Sequence, residues 1–342
     1  MKAAVLTAFA EPLALQDVPR PTPGPDDVLL QVLACGVCHS DLHVTDGDQP
    51  ALKAATKPSL IPGHEVVGRV VECGANVTDL KVGDRVGVAW NHSTCGQCEP
   101  CLQGLENLCR RAVITGVMVD GGYAEYMVAR ASHALPIPDA LSAEEAAPLF
   151  CAGLTVYRAM KRAQVRAGQR VAVFGIGGLG HLAVQMVKAW GATAIALDVD
   201  ADKLALAREL GATETYTANS SDELKALRKA GNADVAIVTS AAKPAYDTAL
   251  RALRPGGTVA VVGLPSEPLS FSALALVGLE ANIVAASVGT REDMRAVLDM
   301  AAQGQLRCLT ETQPLEEVNA VFERMRRGHI QGRVVLRCCA AH

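Results

Sequence analysis

The stretch RVAVFGIGGLGHLAVQMVKAWGATAIALDVDADKLALARELGA, from Arg170 to Ala212, leaves little freedom of fold. It reads as a buried strand, a glycine turn, an amphipathic helix, a second strand and a second helix. The apolar runs VAVF and AIAL do not alternate with polar residues, as expected of parallel strands covered on both faces. DVAIVT, GGTVAVVG and NIVAAS continue the pattern. Strands alternating with helices give a doubly wound parallel sheet, expected to hold six strands. Gly175, Gly177 and Gly180 spell G-x-G-x-x-G directly after a strand and at the start of a helix, the context in which that motif binds a dinucleotide. The expected contact segment is Gly175, Ile176, Gly177, Gly178, Leu179 and Gly180. Asp198 ends the next strand, where its carboxylate suits ribose hydroxyls and repels a 2′-phosphate. Val199 follows it instead of an arginine, so NAD is expected over NADP. A glycine turn serving only structure in another α/β fold is the alternative.

The chain before this segment has a different texture. Roughly its first 150 residues are rich in Gly, Pro and Val with turn signals at short intervals, which reads as an antiparallel β-rich domain, a distorted barrel. Apart from DALSAEEAAPLF, little of it reads as helical. After about Gly289 the chain returns to a helix, REDMRAVLDMAAQG, and a last strand, GRVVLR, expected to pack back on the first domain. With 342 residues, half of them hydrophobic, two domains are expected: 1–152 with 290–342, and 153–289.

Cysteine usage narrows the chemistry. Four of eleven cysteines fall within CGQCEPCLQGLENLC: Cys95, Cys98, Cys101 and Cys109. The N-terminus carries Glu and Pro where a signal peptide needs an apolar run, so a reducing cytoplasm is expected. There, clustered thiols read as metal ligands before disulfides. A ferredoxin-type cluster wants its fourth cysteine three residues after the third, followed by proline. Here the gap is seven and Arg110 follows, which favours a closed, structural zinc site of four thiolates. Cys38, His64 and Cys151 are separately unremarkable. Together they suit a second zinc site of two thiolates and one imidazole, near neutral, with one position open to polarise an alcohol oxygen. A net charge of −4 gives no basic bias for nucleic acid, and no apolar run reaches the roughly 18 residues of a membrane helix.

These motifs stand in the order GVCHSDLH, PGHEVVG, VGDRVGV, the four-cysteine loop, DGGYAEY, CAGLTVY, GIGGLGHLAVQ and GRVVL. In that order, over nearly the whole chain, the sequence resembles the zinc-dependent alcohol dehydrogenases of the medium-chain dehydrogenase superfamily, in particular their bacterial and yeast-like tetrameric branch. The resemblance implies a GroES-like catalytic domain beside a Rossmann domain, NAD as cofactor and two zinc ions per subunit. It implies catalytic zinc on Cys38, His64 and Cys151, with Glu65 beside the metal and Asp41 orienting His64. Ser40 would take the alcohol proton and pass it through the nicotinamide ribose to His43 and water. Thr155 would contact the nicotinamide, Lys203 the adenosine ribose, and His39 and Arg333 other parts of the cofactor. Trp90 would wall the substrate pocket. The implied reaction is reversible oxidation of a small alcohol to an aldehyde or ketone, by zinc alkoxide formation and hydride transfer in a cleft between the domains.

Plainer roles stand beside these. Ser40 and Asp41 suit the cap of a helix at HSDLH, His43 on that helix and His39 suit solvated surface positions, Glu65 suits a buried partner for a base, and Trp90 suits core packing. The rival activities are a polyol- or aldehyde-specific member of the superfamily, or a nucleotide-binding zinc protein without turnover. The segment between the first two zinc ligands is longer than the family pattern, and Val117 stands where an aromatic is frequent; both are expected to reshape the pocket. The apolar edge strand NIVAAS points to a homo-oligomer, with a tetramer favoured over a dimer.

Overall fold

The computed structural model describes residues 1–265 and 267–339. It divides into two units. One holds Met1–Cys151, Thr290–Ala302 and Cys308 onward; the other holds Ala152–Gly289 and Gln303–Arg307.

The second unit is built on a six-stranded sheet in which every neighbouring pair is parallel. Its spatial order is Glu214–Thr217, Thr193–Asp198, Arg170–Phe174, Ala233–Val238, Leu253–Val261, Asn282–Ala285. The chain starts at Arg170–Phe174, winds outward one way, then returns to the other side of that strand. The switch lies between Arg170–Phe174 and Ala233–Val238, where such sheets open a crevice for a ligand at the carboxyl ends of their strands. Burial explains the unbroken apolar runs: every residue of Ala233–Val238 is buried, as are four of the five in Arg170–Phe174. Phe174, Leu197, Val238 and Tyr246 belong to one apolar cluster. One edge strand, Glu214–Thr217, is polar and half-buried along its length, as an edge permits.

The first unit is organised by one ten-residue strand, Asp27–Gly36. Glu65–Cys73 runs antiparallel along one edge of it. The other edge is shared: Tyr126–Arg130 pairs with residues 27–31, and Arg333–Arg337 pairs with residues 34–36. Glu65–Cys73 continues the sheet to Arg85–Val88, and Arg333–Arg337 continues it to Thr310–Pro314. The returning C-terminal segment is therefore knitted into this sheet by hydrogen bonds.

Two features differ from the sequence expectation. The β-rich part carries helices at His39–Asp46, Pro50–Ala55 and Glu99–Leu102 as well as in the DALSAEEAAPLF segment. The first is started by a capping box between Cys38 and Asp41, so the cap is Cys38 and not Ser40. The second has Pro50 in its first turn and absorbs the extra length between the zinc-ligand motifs. Val117 is fully buried in the apolar core of the first unit, and Lys57 N–H donates to its carbonyl. Among the described residues no helix is long and apolar enough to cross a membrane.

Candidate active site

Strand register brings the distant candidate ligands together. Gly36 pairs with Glu65, so one strand ends beside the start of the other. Cys38 lies two residues past the first end and His64 one residue before the second. Val335 pairs with the same Gly36, and Val37 N–H donates to the Val334 carbonyl at 2.9 Å, which carries Arg333 to the same end. Gly63 sets the approach of His64: its φ is +97°, and a Cβ there would fall 2.6 Å from the Tyr123 ring. Cys151 arrives from another direction, at the end of the 3₁₀ turn Ala147–Phe150. Phe150 anchors that turn, its ring occupying the space a Cβ on Gly87 would take.

Cys38, His64, Glu65 and Cys151 each present one ligand atom, and these atoms lie within 4.8 Å of one another. The Cys38 and Cys151 sulfurs are 3.9 Å apart. Tetrahedral sulfur ligands about 2.3 Å from a zinc ion stand roughly 3.8 Å from each other, so the spacing fits the metal. His64 gives a second test of fit. Its Nδ1 is 2.9 Å from Asp41 Oδ1, whereas its Nε2 is buried with no partner among the described residues. A buried ring nitrogen left with a lone pair is costly unless something accepts that pair. Asp41 Oδ1 accepts a hydrogen bond from Nδ1–H, which fixes the tautomer with Nε2 free to ligate.

Asp41 is the hub of this arrangement. Its Oδ2 accepts from the Cys38 backbone N–H at 2.9 Å and from the Tyr123 hydroxyl at 2.8 Å. It therefore caps the helix and orients the imidazole at once. Burial, reinforced by the Asp41 charge, pushes the Tyr123 hydroxyl well above its ordinary range and keeps it a donor. Burial also opposes charge on His64, but Asp41 outweighs it and raises that ring's affinity for a proton. The hydrogen bond from the Cys151 thiol draws Cys38 well below the usual thiol range, with His64 assisting, and Cys151 is pushed up in return. Two such sulfurs ionise together only around a cation.

Glu65 is fully buried and paired through Oε1 with Arg333, which is itself 4% exposed; Glu65 Oε2 has no hydrogen-bond partner among the described residues. Burial pushes Glu65 up to about 7 against the pull of Arg333. Arg333, expected at the cofactor, thus has its partner inside this cluster. Trp90 is half-buried, packs on the core and turns its ring edge-to-face to His64 at 4.9 Å. Ser40 is half-buried, with its N–H 3.5 Å from the Cys38 sulfur, and His43 is half-buried with Nδ1 on Asp48. His39 is exposed.

The second sulfur set lies between the paired strands Asn91–Ser93 and Val113–Ile114. Sulfur separations are 3.4 Å for Cys98–Cys101, 3.5 Å for Cys95–Cys109 and 3.9 Å for Cys95–Cys101, again tetrahedral ligand spacing. Backbone N–H groups of Gln97 and Cys98 help draw Cys95 down to about 5, while burial and its sulfur neighbours push Cys101 up to about 12. The Arg111 guanidinium bonds to Cys95 and offsets part of the negative charge of a four-thiolate set. The other five cysteines form no disulfide, and Cys35, Cys308 and Cys338 are buried as small core residues.

In the second unit, Gly175 has φ +90°, and a Cβ on Gly180 would fall 1.8 Å from the Gly175 carbonyl oxygen. A Cβ on Gly177 would meet nothing within 4 Å, leaving open space beside the turn as a pyrophosphate needs. Asp198 locks the turn, accepting from Ile176 N–H at 2.6 Å and Asp200 N–H at 3.1 Å. Each of its oxygens keeps a further lone pair for a hydroxyl donor. Gly178 and Leu179 are half-buried in the turn, Lys203 is half-buried on the helix Ala201–Glu209, and Thr155 is half-buried on the helix Ala152–Arg162.

Sequence reasoning gave no role to Tyr123, Asp48 or Arg111. A buried tyrosine hydroxyl always asks for a partner, which was the signal for the first. The other two are set by tertiary placement and left no signal.

Residues 24–139 match the alcohol dehydrogenase GroES-like domain, and residues 178–303 match the zinc-binding dehydrogenase domain. An alcohol dehydrogenase of Geobacillus stearothermophilus is 46% identical over 98% of this chain and 99% of its own. The solved alcohol dehydrogenase of the archaeon Aeropyrum pernix superposes with a TM-score of 0.91 at 34% identity, covering 98% of this chain and 100% of that one. An acetophenone reductase from Geotrichum candidum, solved in complex with NAD, gives 0.89 at 32% identity over 98% and 96%. With both domains matched and full-length identity this high, the chain belongs to the zinc-dependent alcohol dehydrogenases of the medium-chain dehydrogenase superfamily.

Proposed function

We propose that the protein oxidises small alcohols to aldehydes or ketones reversibly with NAD, using Cys38, His64 and Cys151 as ligands of a catalytic zinc. The orphaned Nε2 of His64, converging with the two thiols, carries this reading. A zinc ion held there supplies Lewis acidity toward the alcohol oxygen, and NAD held at the Gly175–Gly180 turn accepts the hydride.

The chain's own residues do the rest. Asp41 holds His64 in the ligating tautomer, and Tyr123 holds Asp41. Trp90 stands edge-to-face to that imidazole and walls the alcohol's side of the site. Arg333 offsets the charge of Glu65 within the cluster, and the family resemblance assigns it a contact with the cofactor. Ser40 takes the alcohol proton, and His43 delivers it to water. Asp198 and Lys203 bind the adenosine ribose, His39 the phosphates and Thr155 the nicotinamide. Cys95, Cys98, Cys101 and Cys109 hold a closed zinc that stiffens a polar loop with little core of its own.

A second copy of the chain completes the assembly in this proposal. The strand Asn282–Ala285 ends the parallel sheet, Ile283 is exposed, and none of the nearby helix Ala273–Leu279 is buried. Pairing two such edges removes the hazard of an open apolar edge. The family branch favours a tetramer, which sedimentation distinguishes from a dimer. Eleven cysteines without a disulfide suit the reducing cytoplasm.

The test is NADH formation across a panel of primary, secondary and aromatic alcohols, read as kcat/KM. Turnover that depends on zinc and disappears in His64→Ala supports the assignment. Unchanged turnover in that variant after full zinc depletion contradicts it.

A further inference from the structure

We propose that Asp48 is a positioning residue for proton removal, holding His43 in the tautomer that leaves Nε2 free to receive the proton. This rests on His43 as the proton's last protein acceptor. Nδ1 of His43 lies 2.9 and 3.0 Å from the two carboxylate oxygens of Asp48. An ionised carboxylate has no hydrogen to give, so Nδ1 must donate. The hydrogen of a neutral ring then sits on Nδ1, and the lone pair is on Nε2.

The backbone is built to make this contact. Residues five apart do not face each other on a helix. The helix stops at Asp46, and Gly47 adopts φ +65°, ψ 27°, with its N–H donating to the His43 carbonyl at 3.1 Å. That left-handed cap reverses the chain and returns Asp48 over the last turn, where His43 sits. Only glycine fits there, since a Cβ would fall 2.8 Å from the Phe9 ring. The contact is partly exposed, with side-chain exposures of 25% and 46%. Such pairs add little to stability, so what this one fixes is the hydrogen's place on the ring.

The proton count closes. In the oxidising direction the carbinol carbon loses a hydride to NAD and the hydroxyl loses a proton. The proton is bound by the Nε2 lone pair, giving an imidazolium whose Nδ1–H stays on Asp48. Release from Nε2 to water restores the same neutral tautomer.

Asp48→Asn presents an amide that can donate to Nδ1 and so favours the opposite tautomer. Asp48→Glu keeps the acceptor. The zinc-loaded enzyme with these changes, with His43→Gln and with Asp48→Asn plus His43→Gln, is compared for kcat and alcohol KM. ¹⁵N spectra of histidine-labelled protein report the His43 tautomer. In Asp48→Asn, kcat is expected to fall about tenfold, part of what a positioned acid–base group supplies. KM should stay within about twofold, because the acceptor acts in the transition state. The spectra should move from the Nδ1–H to the Nε2–H form. Asp48→Glu should recover most of kcat, and Asp48→Asn should add nothing to His43→Gln. If His43→Gln turns over normally, the relay role of His43 fails and the proposal with it. If His43→Gln is impaired while Asp48→Asn keeps wild-type kcat and tautomer, only the role of Asp48 is overturned. Multiplying effects in the double variant likewise overturn it.

Discussion

The two sulfur clusters are made in opposite ways. Cys95 and Cys109 are fourteen positions apart, and their loop needs little beyond its own turns and one short pair of strands. Cys38 and Cys151 are 113 positions apart and meet only because three strands end together and a 3₁₀ turn packs across them. The local cluster offers sulfur on every side, with one arginine outside. The distant one is buried except for a partly exposed Cys151, and is surrounded by Asp41, Glu65, Tyr123 and Arg333, each with a specific partner. A closed site needs only its ligands. A reactive one also needs neighbours that orient each ligand and set its charge.

That contrast can be broken by substitution. On the proposed function His64→Ala removes a ligand of a metal that would provide several kcal/mol of transition-state stabilisation, so kcat/KM should fall on the order of 10³-fold or more. NAD binding, followed by fluorescence titration, should persist, and metal analysis should find one zinc per chain in place of two. Cys98→Ser should do the reverse. A structural zinc contributes directly to folding, so the melting temperature should drop by roughly 10 °C, while the enzyme still folded at lower temperature keeps kcat within a few-fold. Equal loss of activity and stability in both variants would erase the distinction.

Asp41→Asn sharpens it. The ligands remain, but the amide no longer fixes the His64 tautomer, and catalytic-zinc affinity or activity should fall about 10–100-fold. Competition with a chromogenic chelator measures this, and the four-thiolate zinc serves as internal control, released at the wild-type rate.

The smallest expected effect lies outside both clusters. Arg324 makes a bidentate pair with Glu311 and pulls its carboxyl down to about 2. A folded pKa below the unfolded one gives stability that is present above about pH 4.5 and lost as pH falls toward 2. Both side chains are well exposed, so the contribution is at most about 1 kcal/mol. Glu311→Gln should lower the melting temperature by a degree or two at pH 6 and by only a small fraction of that at pH 2.

The sequence made the parallel sheet legible because burial on both faces writes itself as unbroken apolar runs. Arg170–Phe174, Thr193–Asp198 and Ala233–Val238 show this; Glu214–Thr217 does not, since as an edge it is free to be polar, and the other edge, Asn282–Ala285, is apolar but exposed. The helix Pro50–Ala55 was hidden among turn residues, and at His39–Asp46 the cap suggested by Ser40 is instead Cys38. At the distant site the residue types named candidates, but only register shows why they meet. The partnership of Arg333 with Glu65 and of Asp48 with His43 depends on strand ends and a left-handed cap that periodicity does not encode.

Anomalous diffraction from crystals of the active protein at the zinc absorption edge tests the central claim most directly. Two zinc peaks per chain are predicted, one enclosed by the sulfurs of Cys95, Cys98, Cys101 and Cys109, the other against Cys38, His64 Nε2 and Cys151 with one coordination position left to water or alcohol. A fully active chain with no metal between Cys38, His64 and Cys151, or with that metal closed by four protein ligands when alcohol is bound, would contradict it.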